Sequence, residues 1–259
     1  MIATTHALRA EWTKLRSVRG TPAALLALVG LTIALGAISC ATWHTEGLAP
    51  GNPGDEDIVM LSLVGIYFAQ VAVVAFGVLA VCGEYATGTI RATFAANPRR
   101  RQVLGAKVAI VGGLVLGVAA VATAISFYAG LALLRGTGFV SANGYPAATL
   151  GDAETLRKVA VAIVYVALLA VLSLAVGAIV RHTATAISVL LGVLFVPWIV
   201  GALLPQKLGE AIEKATPMAG LAGQERGAPI GHWAAIAVTA AWAAVAVVVA
   251  LWLIRRRDA

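Results

Sequence analysis

The sequence predicts an all-α, polytopic integral membrane protein with six transmembrane helices and both termini cytoplasmic. Three observations carry this reading. Of the 259 residues, 60% are hydrophobic and only 12% charged, about half the charge of a soluble domain. Six apolar runs each reach the roughly 20 residues that a helix needs to cross a hydrocarbon core about 30 Å thick. Lysine and arginine then gather on alternate loops, as cytoplasmic loops do. The apolar mass rules out a disordered chain. Single open strands are excluded because lipid offers unpaired backbone groups no partner.

In chain order the runs are Pro22 to Trp43, Ile58 to Cys82, Leu104 to Leu134, Val159 to Val180, Ala184 to Leu204 and His232 to Ile254. Thirteen of the 19 Lys and Arg residues fall on the side of both termini, and nine of the 12 Asp and Glu residues on the other. The net charge of +7 thus resolves into +10 inside and −3 outside. This excess marks orientation and lipid contact rather than a nucleic-acid footprint. The first run ends in Ala37-Ile38-Ser39-Cys40, like a lipoprotein signal, but five spans follow and it is expected to stay as an anchor. Cys40 and Cys82 fall at opposite ends of neighbouring spans. The core thickness far exceeds the roughly 7 Å that a disulfide tolerates between Cα atoms, so no bridge joins them.

Residues 1–21 form an N-terminal segment before a single six-span domain, residues 22–259. In the leader, Leu8, Trp12 and Leu15 recur at helical spacing, while Arg9, Lys14 and Arg16 point elsewhere. That pattern predicts a helix lying along the inner leaflet. Between spans two and three, the loop 83–103 is expected to hold a short helix, Thr89 to Ala96. Gly83 and Gly88 would break the preceding span, Thr87 or Thr89 would cap the new helix, and Asn97-Pro98 would stop it. Arg99, Arg100 and Arg101, with Arg255, Arg256 and Arg257 at the far end of span six, are placed to hold anionic lipid headgroups. From Arg99 to Leu134 span three measures about 54 Å if unbroken, so its first turns should project from the membrane. Gly113 and Gly117 within it make a GxxxG pair, read as a helix-packing seam. The external loop 205–231 carries a short amphipathic helix with Leu208, Ile212 and Ala215 on one face, at the outer surface or re-entrant.

The absences bear on function. No span has an Asp, Glu, Lys or Arg near its centre, where ion-coupled carriers keep such a residue. There is no phosphate-binding GxxxxGK[ST] loop, no GxSxG elbow and no clustered metal ligands. Catalytic residues and bound metal are therefore expected to be none. Tyr67, Gln70 and Pro197 are the candidate substrate-path residues. Gln70 needs partners for its buried amide, and Pro197 can kink span five.

The string EYATGTIRATFAANPRRRQVLGAK resembles the cytoplasmic loop of ATP-binding-cassette transporter permeases of the type-2 exporter class. The leader EWTKLRSVRGTP is similar to the N-terminal segment of bacterial members. The likeness extends over nearly the whole chain and implies a non-enzymatic permease subunit of a bacterial plasma-membrane exporter. A separate ATPase subunit would bind ATP and magnesium, and a second permease chain would complete the transporter. Glu84, Tyr85, Gly88, Thr89, Ile90, Arg91 and Phe94 would then form the coupling helix, with Glu84 paired to Arg91 or to a basic partner residue. A stand-alone carrier or channel, and a non-transporting immunity or assembly protein, remain the alternatives.

Overall fold

The computed structural model describes residues 2–18, 20–43, 57–97, 99–139, 148–224 and 230–257. The acidic residues Glu46, Asp55 and Glu56, the helix stop at Pro98 and the side chain of Arg257 lie outside the described residues. Eleven helices, and no strand, occur among the described residues: α1 (Ile2–Ser17), α2 (Gly20–Thr42), α3 (Ile58–Leu63), α4 (Gly65–Ala86), α5 (Thr89–Ala96), α6 (Arg100–Gly136), α7 (Ala153–Val180), α8 (Thr183–Leu203), α9 (Gln206–Ala215), α10 (Ala219–Ala222) and α11 (His232–Arg257). Six stretches are long and apolar enough to cross a membrane, with α3 and α4 together forming the second. The chain is a multi-pass helical membrane protein.

Two spans form the centre. Over an 18-residue apolar window of each span, 67% is buried in the α3–α4 stretch and 61% in α7, against 22% or 28% in each of the others. Glycine allows the two central helices to touch. A Cβ on Gly77 would sit 2.7 Å from the carbonyl oxygen of Ala170, so only hydrogen fits between the backbones there. Around this seam pack Val74, Val78, Leu169 and Leu174, all fully buried. The buried amide of Gln70 is satisfied inside the same seam. Tyr165 donates its hydroxyl to Gln70 Oε1 at 2.7 Å, and Gln70 Nε2 donates to the Tyr67 carbonyl at 2.8 Å.

One end of the bundle is clamped by charge. Asp57 caps α3, its Oδ1 accepting from the backbone N–H groups of Val59 and Met60 at 3.1 and 3.3 Å. Its other oxygen receives Lys158 from α7 at 2.5 Å, and Lys158 also meets Glu154 at 2.9 Å.

The chain between α8 and α11 turns back along the bundle. Gly209 of α9 lies against Gly201 of α8, where a Cβ on Gly209 would sit 2.4 Å from the Gly201 carbonyl oxygen. Beyond α9, Thr239 donates to the Pro217 carbonyl at 2.7 Å and Trp242 Nε1 to the Ala215 carbonyl at 2.9 Å. Thr239 lies seven residues into α11, about 10 Å along it. The chain then returns through α10, and Gly223 meets His232 at the start of α11.

Three expectations need correction. Gly83 does not end α4, which runs on through it to Ala86. Gly88 does end it, with φ of 71° in the left-handed region that glycine tolerates. Neither Thr87 nor Thr89 caps α5, whose N-cap is Gly88 with no side-chain bond. Nor do Gly113 and Gly117 pack a helix of this chain, since a Cβ on either would meet nothing within 4 Å.

Candidate functional site at the coupling loop

The expected short helix is present with the expected limits, Thr89 to Ala96. It hangs between the end of α4 and the start of α6. Its outer face shows Thr89, Arg91, Ala92 and Ala95, while Ile90, Thr93 and Phe94 are half-buried against the bundle. The loop therefore divides its candidate residues. Thr89 and Arg91 are open to another molecule, and Phe94 is occupied within the chain. The Arg100 guanidinium lies 5.3 Å from the Phe94 ring centre and donates to the Ile254 carbonyl of α11 at 3.5 Å. Arg100 is thus a structural tie, whereas Arg99, Arg101 and Arg255 are exposed. Arg256 is exposed as well, and its guanidinium stacks 4.3 Å from the Trp252 ring. Tyr85 takes the guanidinium of Arg181, the residue after α7, at 5.0 Å.

Beneath α5 lies a group of four charges that join four helices. Lys107 of α6 is 3% exposed. Its ammonium donates to Glu11 Oε2 of α1 at 2.5 Å, to Glu84 Oε1 of α4 at 2.9 Å and to the Ala80 carbonyl at 3.2 Å. Lys14 of α1 donates to Glu11 Oε1 at 2.8 Å, to Glu84 Oε1 at 3.1 Å and to Thr93 Oγ1 of α5 at 2.9 Å. An ammonium has three protons, and both lysines place all three. The two carboxylates offset the two ammoniums, so the group is neutral overall, as a charge cluster at this depth has to be. One atom, Glu84 Oε2, is buried without a hydrogen-bond partner. Burial works against the charge on Lys14. Its hydrogen bond and Coulombic attraction to Glu11, with those to Glu84, prevail and raise its pKa above the ordinary lysine value.

The expected pairing of Glu84 is corrected accordingly: within the chain its partners are Lys14 and Lys107 rather than Arg91. The N-terminal helix is also rotated from the expected face. Leu15 is buried and Leu8 half-buried, but the residue between them on that stripe is Glu11, 2% exposed, while Trp12 is 40% exposed. Glu11 and Lys107 escaped the reading of the sequence, although each left a signal. Glu11 stands three residues from Leu8 and four from Leu15, a carboxylate on the apolar face. Lys107 stands seven residues inside an apolar helix. A charge in either setting requires a partner.

The proposed path residues are placed separately. Gln70 is fully buried between α4 and α7, so it meets a path only if these helices part, while Tyr67 is half-buried on α4. Pro197 stands inside the continuous helix α8, beside the exposed Val196 and Trp198. No cluster of metal-ligating side chains occurs among the described residues. Comparison with protein-family models found no match to this chain, and comparison with curated proteins found none at a significant level.

Proposed function

We propose that this chain is the permease subunit of an ATP-binding-cassette exporter, embedded in the bacterial plasma membrane with both termini inside. A separate ATPase subunit holds ATP and magnesium and drives it, and a second permease chain completes the transport path. One observation supports this above the others: α5 is a short exposed helix whose base is tied by Lys14, Glu84 and Thr93 to α1, α4 and α6. A helix held in that way passes a push from outside into the spans rather than yielding alone. The charges of the bundle agree, because Lys107 and Lys158 are paired near span ends rather than placed at span centres. Energy for transport then has to come from another chain.

In this reading Thr89 and Arg91 meet the ATPase, while Ile90 and Phe94 seat α5 on the bundle. Arg91→Glu reverses an exposed charge that forms no ion pair among the described residues. It is expected to leave the fold intact and to lower co-purification with the P-loop ATPase by about ten-fold or more, the range of a rim charge placed opposite like charge. Co-expression with that ATPase, affinity capture and ATP turnover in proteoliposomes measure this. Unchanged capture and unchanged stimulation of ATP turnover in Arg91→Glu would remove α5 as the coupling element.

A further inference from the structure

A recess of about 640 Å³ opens where α1 crosses α2 and α6. Its walls are apolar throughout: Trp12 from α1, Val29 from α2, and Ala109, Gly113, Gly117 and Val121 along α6. The floor is bare backbone, since a Cβ on Gly113 or Gly117 would meet nothing within 4 Å. From Ala109 to Val121 is 12 helical steps, about 18 Å. That is close to the depth of one leaflet, half of a hydrocarbon core about 30 Å thick.

Charge stands beside Trp12 on α1. Arg9 and Arg16 lie three residues before and four residues after Trp12, on one stripe of α1. Both are exposed, and neither forms an ion pair among the described residues. Helical spacing thus places the two arginines on either side of Trp12, the residue that α1 contributes to the recess.

We propose that this recess binds one anionic glycerophospholipid of the leaflet beside α1. Its phosphate lies between Arg9 and Arg16, and one acyl chain runs down over Gly113 and Gly117. Two cations beside Trp12 select an anionic headgroup over a zwitterionic one. The length of the groove selects a single chain. A second copy fits poorly, because it would bring its own Arg9 and Arg16, with Arg99, Arg101 and Arg255 at the same end, against like charge. The site is independent of the transport reading, since it requires only that the chain sit in a membrane.

The test uses the full chain in nanodiscs of equal phosphatidylglycerol and phosphatidylcholine, with native mass spectrometry of the lipid retained on release. The wild type is expected to hold phosphatidylglycerol over phosphatidylcholine by about ten-fold or more, given about 1 kcal/mol for each basic residue near the surface. Arg9→Gln combined with Arg16→Gln, both exposed and therefore safe for folding, should erase the preference while a lipid is still retained. Gly113→Leu combined with Gly117→Leu fills empty space and should cut retention of both lipids. An unchanged preference in the arginine variant overturns the proposal. So does a glycine variant that loses dimer but keeps its lipid, which would assign the recess to a second copy.

Discussion

The ion cluster under α5 rests on individual atoms, and its members are not equivalent. Lys107→Met would leave Glu11 and Glu84 facing each other in a site 3% and 13% exposed. Removing one partner of a buried pair costs about 3–5 kcal/mol, because the remaining charge keeps its desolvation penalty without its offset. The double change Glu11→Gln with Lys107→Met leaves Glu84 matched by Lys14, so it should be milder than Lys107→Met alone. Thermal unfolding in detergent, read as a double-mutant cycle, checks the order. Lys14 adds a pH dependence. Its folded pKa lies above the ordinary 10.5, so its contribution is complete below that value and is lost as pH rises through the higher folded one. Docking of α1, followed by hydrogen exchange of residues 8–17, should therefore weaken in strongly alkaline solution, and the dependence should vanish in Lys14→Met. The cluster was only half legible. Glu84 stood out because it opens a recognisable loop. Lys107 was hidden because its partners come from residues 23 and 96 positions away, and no local pattern specifies such a meeting.

At the level of elements, glycine separates what periodicity reveals from what it conceals. A GxxxG spacing states that one helix face is smooth, and it leaves open what lies opposite. Gly113 and Gly117 have that spacing and face open space, whereas Gly77, with no such signature, is where α4 and α7 touch. Gly77→Ala should cost about 1–3 kcal/mol, the usual penalty for forcing atoms into a filled core. Gly113→Ala should be neutral or slightly stabilising, since alanine favours the helix and clashes with nothing. Melting temperatures of the two variants in one detergent make the comparison. The limits of α5 were readable because they depend on local chemistry. Gly88 takes a left-handed turn, and Asn97 with its extended backbone ends the helix. Gly83 misled because a glycine inside a helix lowers propensity without removing its backbone hydrogen bonds, and the helix runs on to Ala86. The short helix α9 was legible as amphipathic sequence. Where the chain after it packs was not, because that is set by Thr239 and Trp242 on another helix.

Across the whole molecule, the six spans and their order followed from hydropathy, while the choice of α4 and α7 as the centre did not. All six runs are similarly apolar, at mean hydropathies of 2.3 to 2.9, so composition cannot rank them by burial. Their native cysteines offer a direct check of sidedness. Cys40 and Cys82 are free and buried near opposite ends of the bundle, so both should resist a membrane-impermeant maleimide in the native protein. A single cysteine replacing the exposed Arg91 should then label only from the cytoplasmic side of oriented vesicles, and one replacing the exposed Lys207 only from the outside. The reverse pattern would invert the proposed orientation. The unbroken length of α6 has a further consequence. Its 37 residues make a rod about 55 Å long, seated at one end in the ion cluster. A tilt of about 5° at that seat carries the opposite tip about 5 Å sideways, by simple leverage on a rod of this length. Small displacements at the Lys107 end thus arrive magnified at the far surface, where Gly130 and Leu134 lie against Ser62 and Cys40.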